Sequence, residues 1–252
     1  YRGMTEIGAP LIDIYMQRRL ASGKEDPKRI SERRGIASRT RPEGPLAWVH
    51  AASVGEAQSA LSLINKMLRA RIDLHILITT GTVTSAKLLA ERLPPRSFHQ
   101  FVPVDRHRWV RRFLDHWEPN LAVWIESEFW PNLITQTAER NIPTVLANGR
   151  ISRKSAANWR MLPGFIGDIV GVFRLCLTQT DEEAARFRTL GADPVKCVGN
   201  LKYSASALPV EEDDLVAVTA QIGTRPCWLA ASTHPGDEAL VAKAHAVLRE
   251  AY

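Results

Sequence analysis

The sequence predicts an α/β protein built on a doubly wound, parallel, Rossmann-like sheet. Short apolar runs of about four to six residues alternate with longer amphipathic stretches, as in consecutive strand–helix units. Polar, glycine-containing loops follow several of these runs, at the strand ends where such sheets bind ligands. A hydrophobic fraction of 45% and a charged fraction of 24% exclude collagen-like, disulfide-scaffold and disordered chains.

The first segment, residues 1–44, is apolar at its start and then strongly basic. Residues 7–20 predict a helix that lies in a membrane interface or packs on the domain as an ordinary amphipathic helix. The segment from Arg18 to Arg41 contains nine lysines and arginines but only three acids, an excess of positive charge equal to the net charge of +6. Such a block predicts a membrane-proximal segment that meets a polyanion, or else a solvated basic surface.

Seven apolar runs predict the strands, which we place at residues 46–49, 74–79, 98–102, 121–125, 143–147, 175–178 and 195–198. The stretches between them predict helices that end near residues 70, 93 and 117, one that begins at Pro131, one over 152–172 and one over 181–190. Proline is favoured in the first turn of a helix, and Gly191 suits the position after a helix end. We expect this Rossmann-like domain to span residues 45–203.

The pattern changes after Lys202. Residues 204–225 contain a polar, acidic, proline-containing stretch and predict a linker. Residues 228–231 predict one more strand, 232–236 a loop and 237–250 a helix. One strand and one helix bury too little surface to fold alone. Residues 226–252 are therefore expected to be the start of an incomplete second domain.

Several common active-site patterns are missing from the sequence. It contains no G-x-G fingerprint, Walker A loop, G-x-S-x-G elbow or H-E-x-x-H motif, and its seven histidines lack metal-ligand spacing. We therefore expect no metal and no cofactor. The three cysteines form no C-x-x-C pair, which favours a reducing, cytosolic setting.

The loop after the first predicted strand contains Ser53, Gly55 and Glu56. Glycine lets the backbone approach a ligand, and the N-terminus of the following helix offers free N–H groups to an anion. Glu56 in the first helical turn suits a general base. From the motif alone, the commoner use of such a glutamate is favoured, namely to stabilise the start of a helix.

The loop after the fourth predicted strand places Glu126 and Glu128 beside an aromatic pair that includes Trp130. Two carboxylates at a strand end are costly unless they are paired or used, which indicates a site. Aromatic rings beside carboxylates also suit sugars. The alternative is a capping cluster for the helix that begins at Pro131.

Three further groups of residues follow predicted strands. Arg150 beside Ser152 suits a phosphate or carboxylate, although a solvated helix start is slightly favoured. Residues 79–82 form a weaker candidate for an anion-binding turn. Residues 199–202 and 232–234 lie at the linker and at the start of the second domain, beside a cleft if the two domains face each other.

Seven motifs occur in one order along the chain: A-A-S-V-G-E (51–56), I-T-T-G-T (78–82), P-V-D (103–105), E-S-E-F-W-P-N (126–132), N-G-R-I-S-R-K-S (148–155), G-N-L-K (199–202) and A-S-T-H-P-G-D-E (231–238). In order and spacing the chain resembles bacterial 3-deoxy-D-manno-octulosonic acid (Kdo) transferases, from about residue 8 to residue 250. The resemblance implies the N-terminal half of a GT-B glycosyltransferase. It also implies that most of the donor domain, including its CMP-binding loops, lies outside this chain, which is then inactive alone.

The same resemblance implies a function. Such enzymes transfer Kdo from CMP-Kdo, with inversion, to the tetraacylated lipid A precursor of lipopolysaccharide, peripherally or through an N-terminal anchor on the cytoplasmic face of the inner membrane. Glu56 matches the general base of this family, and Glu128 matches its second glutamate. The implied acceptor-binding residues are Ser53, Gly55, Thr80, Gly81, Thr82, Trp130, Asn132, Arg150 and Ser152. The implied donor-binding residues are Lys202, Ser232, Thr233 and His234.

Three other interpretations stay open. The chain fits another GT-B enzyme, of the lipid A disaccharide synthase or nucleotide-sugar epimerase type. It also fits a non-catalytic module that binds anionic lipids, in which Glu56 only starts a helix. Nucleic-acid binding through residues 18–41 has no recognition motif to support it, and we expect no nucleic-acid partner.

Overall fold

The computed structural model describes residues 1–204 and 210–251, in two units, Tyr1–Ser206 and Ala207–Tyr252. The first unit contains seven strands: β1 (Leu46–His50), β2 (His75–Thr80), β3 (Ser97–Phe101), β4 (Leu121–Ile125), β5 (Thr144–Gly149), β6 (Leu175–Thr178) and β7 (Val195–Cys197). They form one sheet in the order β3-β2-β1-β4-β5-β6-β7, and every neighbouring pair is parallel. The predicted doubly wound parallel sheet is confirmed. Its strand order reverses between β1 and β4, which is where such sheets bind ligands.

Helices cover both faces of this sheet. In chain order they are α1 (Arg2–Ile7), α2 (Ala9–Ala21), α3 (Val54–Ala70), α4 (Val83–Arg92), α5 (His107–Trp117), α6 (Pro131–Glu139), α7 (Arg153–Trp159), α8 (Pro163–Val170) and α9 (Asp181–Thr189). The single helix predicted over residues 152–172 is wrong, because it is divided into α7 and α8. Pro163 cannot continue a helix from the preceding turn, and it opens α8 instead. Within the described residues, no helix is long and apolar enough to cross a bilayer.

The core consists of two apolar layers, one on each face of the sheet. Successive strand residues point to opposite faces, so Trp48 belongs to one layer and Val49 to the other. The layer that contains Trp48 also holds Trp124 and Phe113 of α5. The opposite layer packs β1 and β2 against α3. Because both faces are covered, the central strands are buried along nearly their whole length and are mostly apolar, as the short apolar runs predicted.

Residues 25–41, here called the arginine strap, run along the edge strand β3 and supply partners to its end. The backbone N–H of Phe101 donates to Glu32 Oε2 at 2.7 Å, and Arg33 Nη1 donates to the carbonyl of Val102 at 3.2 Å. The backbone N–H of Val104 donates to the carbonyl of Arg33 at 2.9 Å. The strap therefore covers backbone groups that an edge strand would otherwise leave open.

The strap gives the basic block an internal use beside the two that were predicted, a polyanion site and a solvated surface. Six of the nine basic side chains between residues 18 and 41 have an acid, carbonyl or aromatic ring as partner, namely Arg19, Arg29, Arg33, Arg34, Arg39 and Arg41. Their partners belong to the same unit. The chain uses most of this charge to hold its own fold.

The second unit contains two helices, α10 (Glu212–Ile222) and α11 (Asp237–Ala251). The linker predicted over residues 204–225 is therefore partly helical, with acids in the first turn of α10, where the helix dipole favours them. Residues 205–209 of that linker lie outside the described part. The strand predicted at 228–231 does not form, because the described residues of this unit offer it no second strand to pair with. The helix predicted over 237–250 is confirmed as α11.

Candidate active site at the ends of β1 and β4

The loops after β1 and β4 lie side by side, because these strands are neighbours in the sheet. Together with the loop after β5 they line a cavity of about 390 Å³, here called the carboxylate cavity. The structure thus brings Glu56, Glu126 and Glu128 to the point where the strand order reverses. Arg150 and Ser152 line the same cavity.

Glu56 is held by the start of α3. Ser53 is the N-cap of this helix, and its Oγ accepts the backbone N–H of Glu56 at 3.3 Å. In return, the Glu56 carboxylate accepts the N–H of Ala52 at 2.7 Å and the hydroxyl of Ser53 at 2.9 Å. This arrangement is a variant of the capping box. In a capping box, the N-cap serine accepts the backbone N–H of the glutamate three residues later, and the glutamate side chain accepts a backbone N–H at the start of the helix. It fixes the carboxylate at the strand end in one orientation.

The carboxylates of this cavity disfavour each other's charge. Burial raises the pKa of Glu56; hydrogen bonds from Ala52 and Ser53 oppose this shift, and the negative charge of Glu126 adds to it. Glu128 is exposed as a residue, yet partial desolvation of its carboxyl and the charge of Glu56 raise its pKa as well. Two carboxyls with raised pKa values in one cavity are typical of sites that transfer protons.

Glu126 occupies a backbone conformation that is rare for residues other than glycine, with φ of 62°. Its backbone N–H donates to the carbonyl of Ala147 at 2.9 Å, and Lys202 Nζ lies 3.3 Å from its Oε1. The ammonium of Lys202, expected to face the donor, thus contacts the carboxylate cluster of the first unit. Strained backbone of this kind persists where surrounding structure enforces it, often at functional sites.

Two predicted acceptor-binding residues have hydrogen-bond partners inside the protein, although Asn132 Oδ1 has none among the described residues. Thr80 is fully buried at the end of β2, and its hydroxyl pairs with His99 Nε2 at 2.9 Å. Asn132 is 1% exposed, and its amide donates to the backbone carbonyl of Asp105 at 2.7 Å. Both residues thus also hold the fold together, and their role in acceptor binding stays a prediction. Thr82 is the N-cap of α4, where its side chain accepts a backbone N–H.

A second cavity of about 310 Å³, here called the ring cavity, lies beside α2. Gly81, Thr82 and Trp130 line it, and Glu128 lines both cavities. Gly55 is exposed at the start of α3, with open space where a side chain would be. Five of the nine predicted acceptor residues thus line one of these two cavities, and Ser53, Gly55, Thr80 and Asn132 line neither.

The remaining predicted donor residues, Ser232, Thr233 and His234, belong to the second unit. They form a loop before α11, in which the backbone N–H of His234 donates to Asp237 Oδ2 at 2.9 Å. Their role in donor binding stays a prediction.

Two residues near the site were not predicted. His50, the last residue of β1, is 1% exposed, and Asn148 is buried with φ of 57°. Asn148 Oδ1 accepts the backbone N–H of Leu201 at 3.0 Å and so holds the segment that presents Lys202. The Asn-Gly dipeptide at 148–149 and a histidine directly before the first motif were the available signals. Across the described residues, no group of three histidine, cysteine, aspartate or glutamate side chains is placed to hold a metal ion.

A doubly wound sheet with carboxylates at its switch point defines a ligand-binding domain of an enzyme. Comparison with known proteins gives the family. The chain belongs to the 3-deoxy-D-manno-octulosonic-acid transferases (kdotransferases), whose family model matches residues 28–205. The family predicted from the seven motifs is confirmed.

Curated relatives named 3-deoxy-D-manno-octulosonic acid transferase support this membership. The protein of Rickettsia bellii is 34% identical over 92% of this chain and 55% of its own length. That of Haemophilus influenzae is 31% identical over 100% of this chain and 60% of its own length. The chain thus spans somewhat over half the length of these relatives. A solved UDP-GlcNAc 2-epimerase from Neisseria meningitidis is similar over 71% of this chain and 53% of its own, with 10% identity and a TM-score of 0.49.

Proposed function

We propose that this chain is the acceptor-binding half of a GT-B glycosyltransferase that transfers Kdo from CMP-Kdo to the phosphorylated, tetraacylated lipid A precursor of lipopolysaccharide. One observation supports the chemistry most directly: Glu56 is fixed at the switch point of the sheet, and its pKa is raised. Family membership supports the choice of donor and acceptor.

In the proposed reaction Glu56 is the general base. It accepts the proton of an acceptor hydroxyl while that oxygen forms a bond to the anomeric carbon of Kdo. The bond from this carbon to the phosphate oxygen of CMP breaks with its electron pair, and the configuration inverts. A general base takes a proton more readily when its pKa is raised, so the raised pKa of Glu56 suits this step.

The other residues of the carboxylate cavity position the reactants. Glu128 lies beside the base and contacts the acceptor, and Arg150 with Ser152 offers donors to a phosphate. Lys202 partly neutralises Glu126 and so limits the negative charge around Glu56. Ser232, Thr233 and His234 of the second unit bind the donor.

We also propose that α1 and α2 touch an anionic membrane, on the cytoplasmic face of the inner membrane. Met4, Ile7, Leu11 and Ile14 are exposed and recur at helical spacing. Helix α5, which contacts α1, adds a cationic surface formed by Arg108, Arg111 and Arg112. Apolar residues beside basic ones are typical of peripheral membrane contact.

Flotation with lipid vesicles tests this contact. The unaltered chain should float with phosphatidylglycerol vesicles more than with phosphatidylcholine vesicles, and Leu11→Glu should float less with the former. Equal flotation of Leu11→Glu and the unaltered chain would contradict the contact.

Glu56→Gln in the enzyme of full natural length tests the proposed reaction. The amide keeps the size of the side chain but cannot accept the proton, so transfer of Kdo from CMP-Kdo should fall by about 10²–10⁴-fold. Glu183→Gln is the matched control. Glu183 occupies the same position after an N-cap threonine, at the start of α9, and does not line either cavity.

The control variant should transfer Kdo at the rate of the unaltered enzyme. If Glu56→Gln also keeps this rate, Glu56 only stabilises a helix start. The chain is then a lipid-binding module or uses another base. If the full-length enzyme accepts a different nucleotide sugar and not CMP-Kdo, another type of GT-B enzyme is indicated.

A further inference from the structure

Helix α6 begins directly after the loop that carries Glu128 and Trp130, yet its N-cap side chain makes no hydrogen bond. Helices α3, α4, α7 and α9 each begin after a serine or threonine whose side chain accepts a backbone N–H. In α6 the N-cap is Trp130, which makes no such bond and instead lines the ring cavity. The first N–H groups of α6 therefore need an acceptor from elsewhere in the chain.

Asp105 supplies this acceptor from the loop after β3. Its Oδ2 accepts the backbone N–H of Asn132 at 3.0 Å, and its Oδ1 accepts that of Leu133 at 2.8 Å. Its backbone carbonyl accepts the side-chain amide of Asn132 at 2.7 Å. Each carboxylate oxygen thus holds one N–H of the first helical turn, where the helix dipole also favours a negative charge.

The burial of Asp105 is unfavourable by itself. The residue is 4% exposed, and burial raises the pKa of its carboxyl, while hydrogen bonds from Asn132, Leu133 and the Tyr1 hydroxyl oppose that shift. Helix α1 covers the contact, since Thr5 Oγ1 accepts a second hydrogen bond from the Asn132 amide at 3.2 Å. A buried carboxylate is costly unless hydrogen bonds satisfy it, and these bonds fix the start of α6 relative to the end of β3.

The residues between β4 and α6, here called the β4–α6 loop, are thus held at two points. Within the loop, the backbone carbonyl of Glu128 accepts the indole N–H of Trp124 at 3.2 Å. After Trp130, Asp105 holds the first turn of α6. Glu128 lies between these points and lines both cavities, and burial and the charge of Glu56 raise the pKa of its carboxyl.

We propose that Asp105 is a positioning residue for the transfer reaction. By holding the first turn of α6, it fixes the β4–α6 loop and so keeps the carboxyl of Glu128 beside Glu56. The inference rests on the proposed function, in which Glu128 contacts the acceptor. Asp105 itself lines neither cavity, so it acts on the reaction only through the loop.

Carboxyl-carbon NMR of this chain tests the position of Glu128 without any substrate. Asp105→Asn keeps the size of the side chain but replaces one acceptor oxygen by an NH₂ group, so one N–H of α6 loses its partner. The loop then moves more freely, and Glu128 becomes better hydrated and lies farther from Glu56 on average. Its raised pKa should therefore fall towards the ordinary value of a glutamate. Glu128→Gln assigns the signal.

Thr180→Ala is the matched control, because Thr180 caps the start of α9 and lines neither cavity. It removes a helix cap and should leave the pKa of Glu128 unchanged. If Asp105→Asn does not fold, Asn132→Ala removes the amide contact with the backbone carbonyl of Asp105 and should lower the pKa of Glu128 by a smaller amount. An unchanged pKa of Glu128 in the folded variant, or an equal fall in Thr180→Ala, would overturn the proposal.

Kinetics of the full-length enzyme give a second readout, which a purely structural role would not reproduce. Displacement of a group at the site is costly, and kcat of Asp105→Asn should fall about 10- to 100-fold. In a Glu128→Gln background the same change should lower kcat less than about threefold, because the group that Asp105 positions is already absent. The same fold-change in both backgrounds would show that Asp105 does not act through Glu128.

Glu56→Gln distinguishes this inference from the proposed function. If the pKa of Glu128 falls in Asp105→Asn while Glu56→Gln still transfers Kdo, the proposed mechanism fails and the positioning role remains. If Glu56→Gln loses transfer while Asp105→Asn keeps both kcat and the pKa of Glu128, the mechanism remains and the positioning role fails.

Discussion

The arginine strap and the carboxylate cavity are both rich in charge, yet they arrange it in opposite ways. In the strap, Glu25 and Glu32 are buried and each accepts hydrogen bonds from arginines. In the cavity, Glu56 and Glu128 lie together and have raised pKa values. Paired buried charges hold elements together, whereas like charges that crowd at a strand end oppose stability and indicate a use.

The strap also explains why this chain needs so many arginines near its start. Burial lowers the pKa of Arg33, and the charge of Glu25 opposes that shift. The guanidinium of Arg33 lies 4.7 Å from the ring centre of Phe101, and Arg29 lies at the same distance from that ring. These two cations are therefore part of the segment that covers the edge of the sheet at β3.

The largest effect should come from Gly35→Ala, which breaks the strap. Gly35 has φ of 74°, and a Cβ atom there would lie 2.0 Å from the backbone oxygen of Trp109. Because this oxygen belongs to α5, the strap must move off the helix. The free energy of unfolding, measured with urea, should fall by at least about 4 kcal/mol.

Gly23→Ala is the matched control for this variant. Gly23 also has positive φ, of 69°, but no atom lies within 4 Å of its Cβ position. Its cost should be only about 1–2 kcal/mol, from the left-handed backbone alone. Equal costs at the two positions would show that the strap does not need its contact with α5.

Glu25→Ala should have the next largest effect. It removes the shared partner of Arg19 and Arg33 and leaves the buried Arg33 without its hydrogen-bonded carboxylate. Such a loss costs about 3–5 kcal/mol in the free energy of unfolding. Asp115→Asn, which breaks the surface pair with Arg140, should cost less than about 1 kcal/mol. If the two variants lose equal stability, the strap is no more than a solvated basic surface.

The contrast shows which features the sequence could predict. Strands and helices followed from apolar runs and periodicity, because both faces of a parallel sheet must be covered. The break at Pro163 was missed because the apolar pattern continues across it. The strap was missed for a different reason: Arg33 and the carbonyl of Val102 are 69 positions apart, and only the fold brings them together.

The candidate site was partly predictable for the same physical reasons. Glu56 and Glu128 follow strands that became neighbours, so their proximity follows from the strand order. Lys202 lies beside Glu126 because Asn148 accepts the backbone N–H of the preceding residue, Leu201. No local sequence pattern indicates this hydrogen bond. Burial of Thr80 and Asn132 could not be foreseen either, since a polar side chain in a motif suits a ligand and an internal partner equally well.

Glu126→Gln should have a smaller effect that sharpens the contrast, because it removes like charge from the cavity. The charge of Glu126 raises the pKa of Glu56, so its removal lowers that pKa. The base then stays ionised at lower pH, and the acid limb of the kcat/KM profile of the full-length enzyme moves to lower pH. Glu183→Gln should leave the profile unchanged. A shift to higher pH would mean that Glu126 does not act on Glu56 through its charge.

The smallest effect should appear in the stability of Glu56→Gln. The pKa of Glu56 is raised in the folded chain, so this group supports folding fully below its ordinary pKa and loses that support as pH rises through the raised value. Glutamine has no such dependence. Urea unfolding of both chains at pH 4 and pH 7 should therefore favour the variant more at pH 7 than at pH 4. The opposite sign would mean that the ionised carboxylate stabilises the fold, and Glu56 would then belong with the paired charges of the strap.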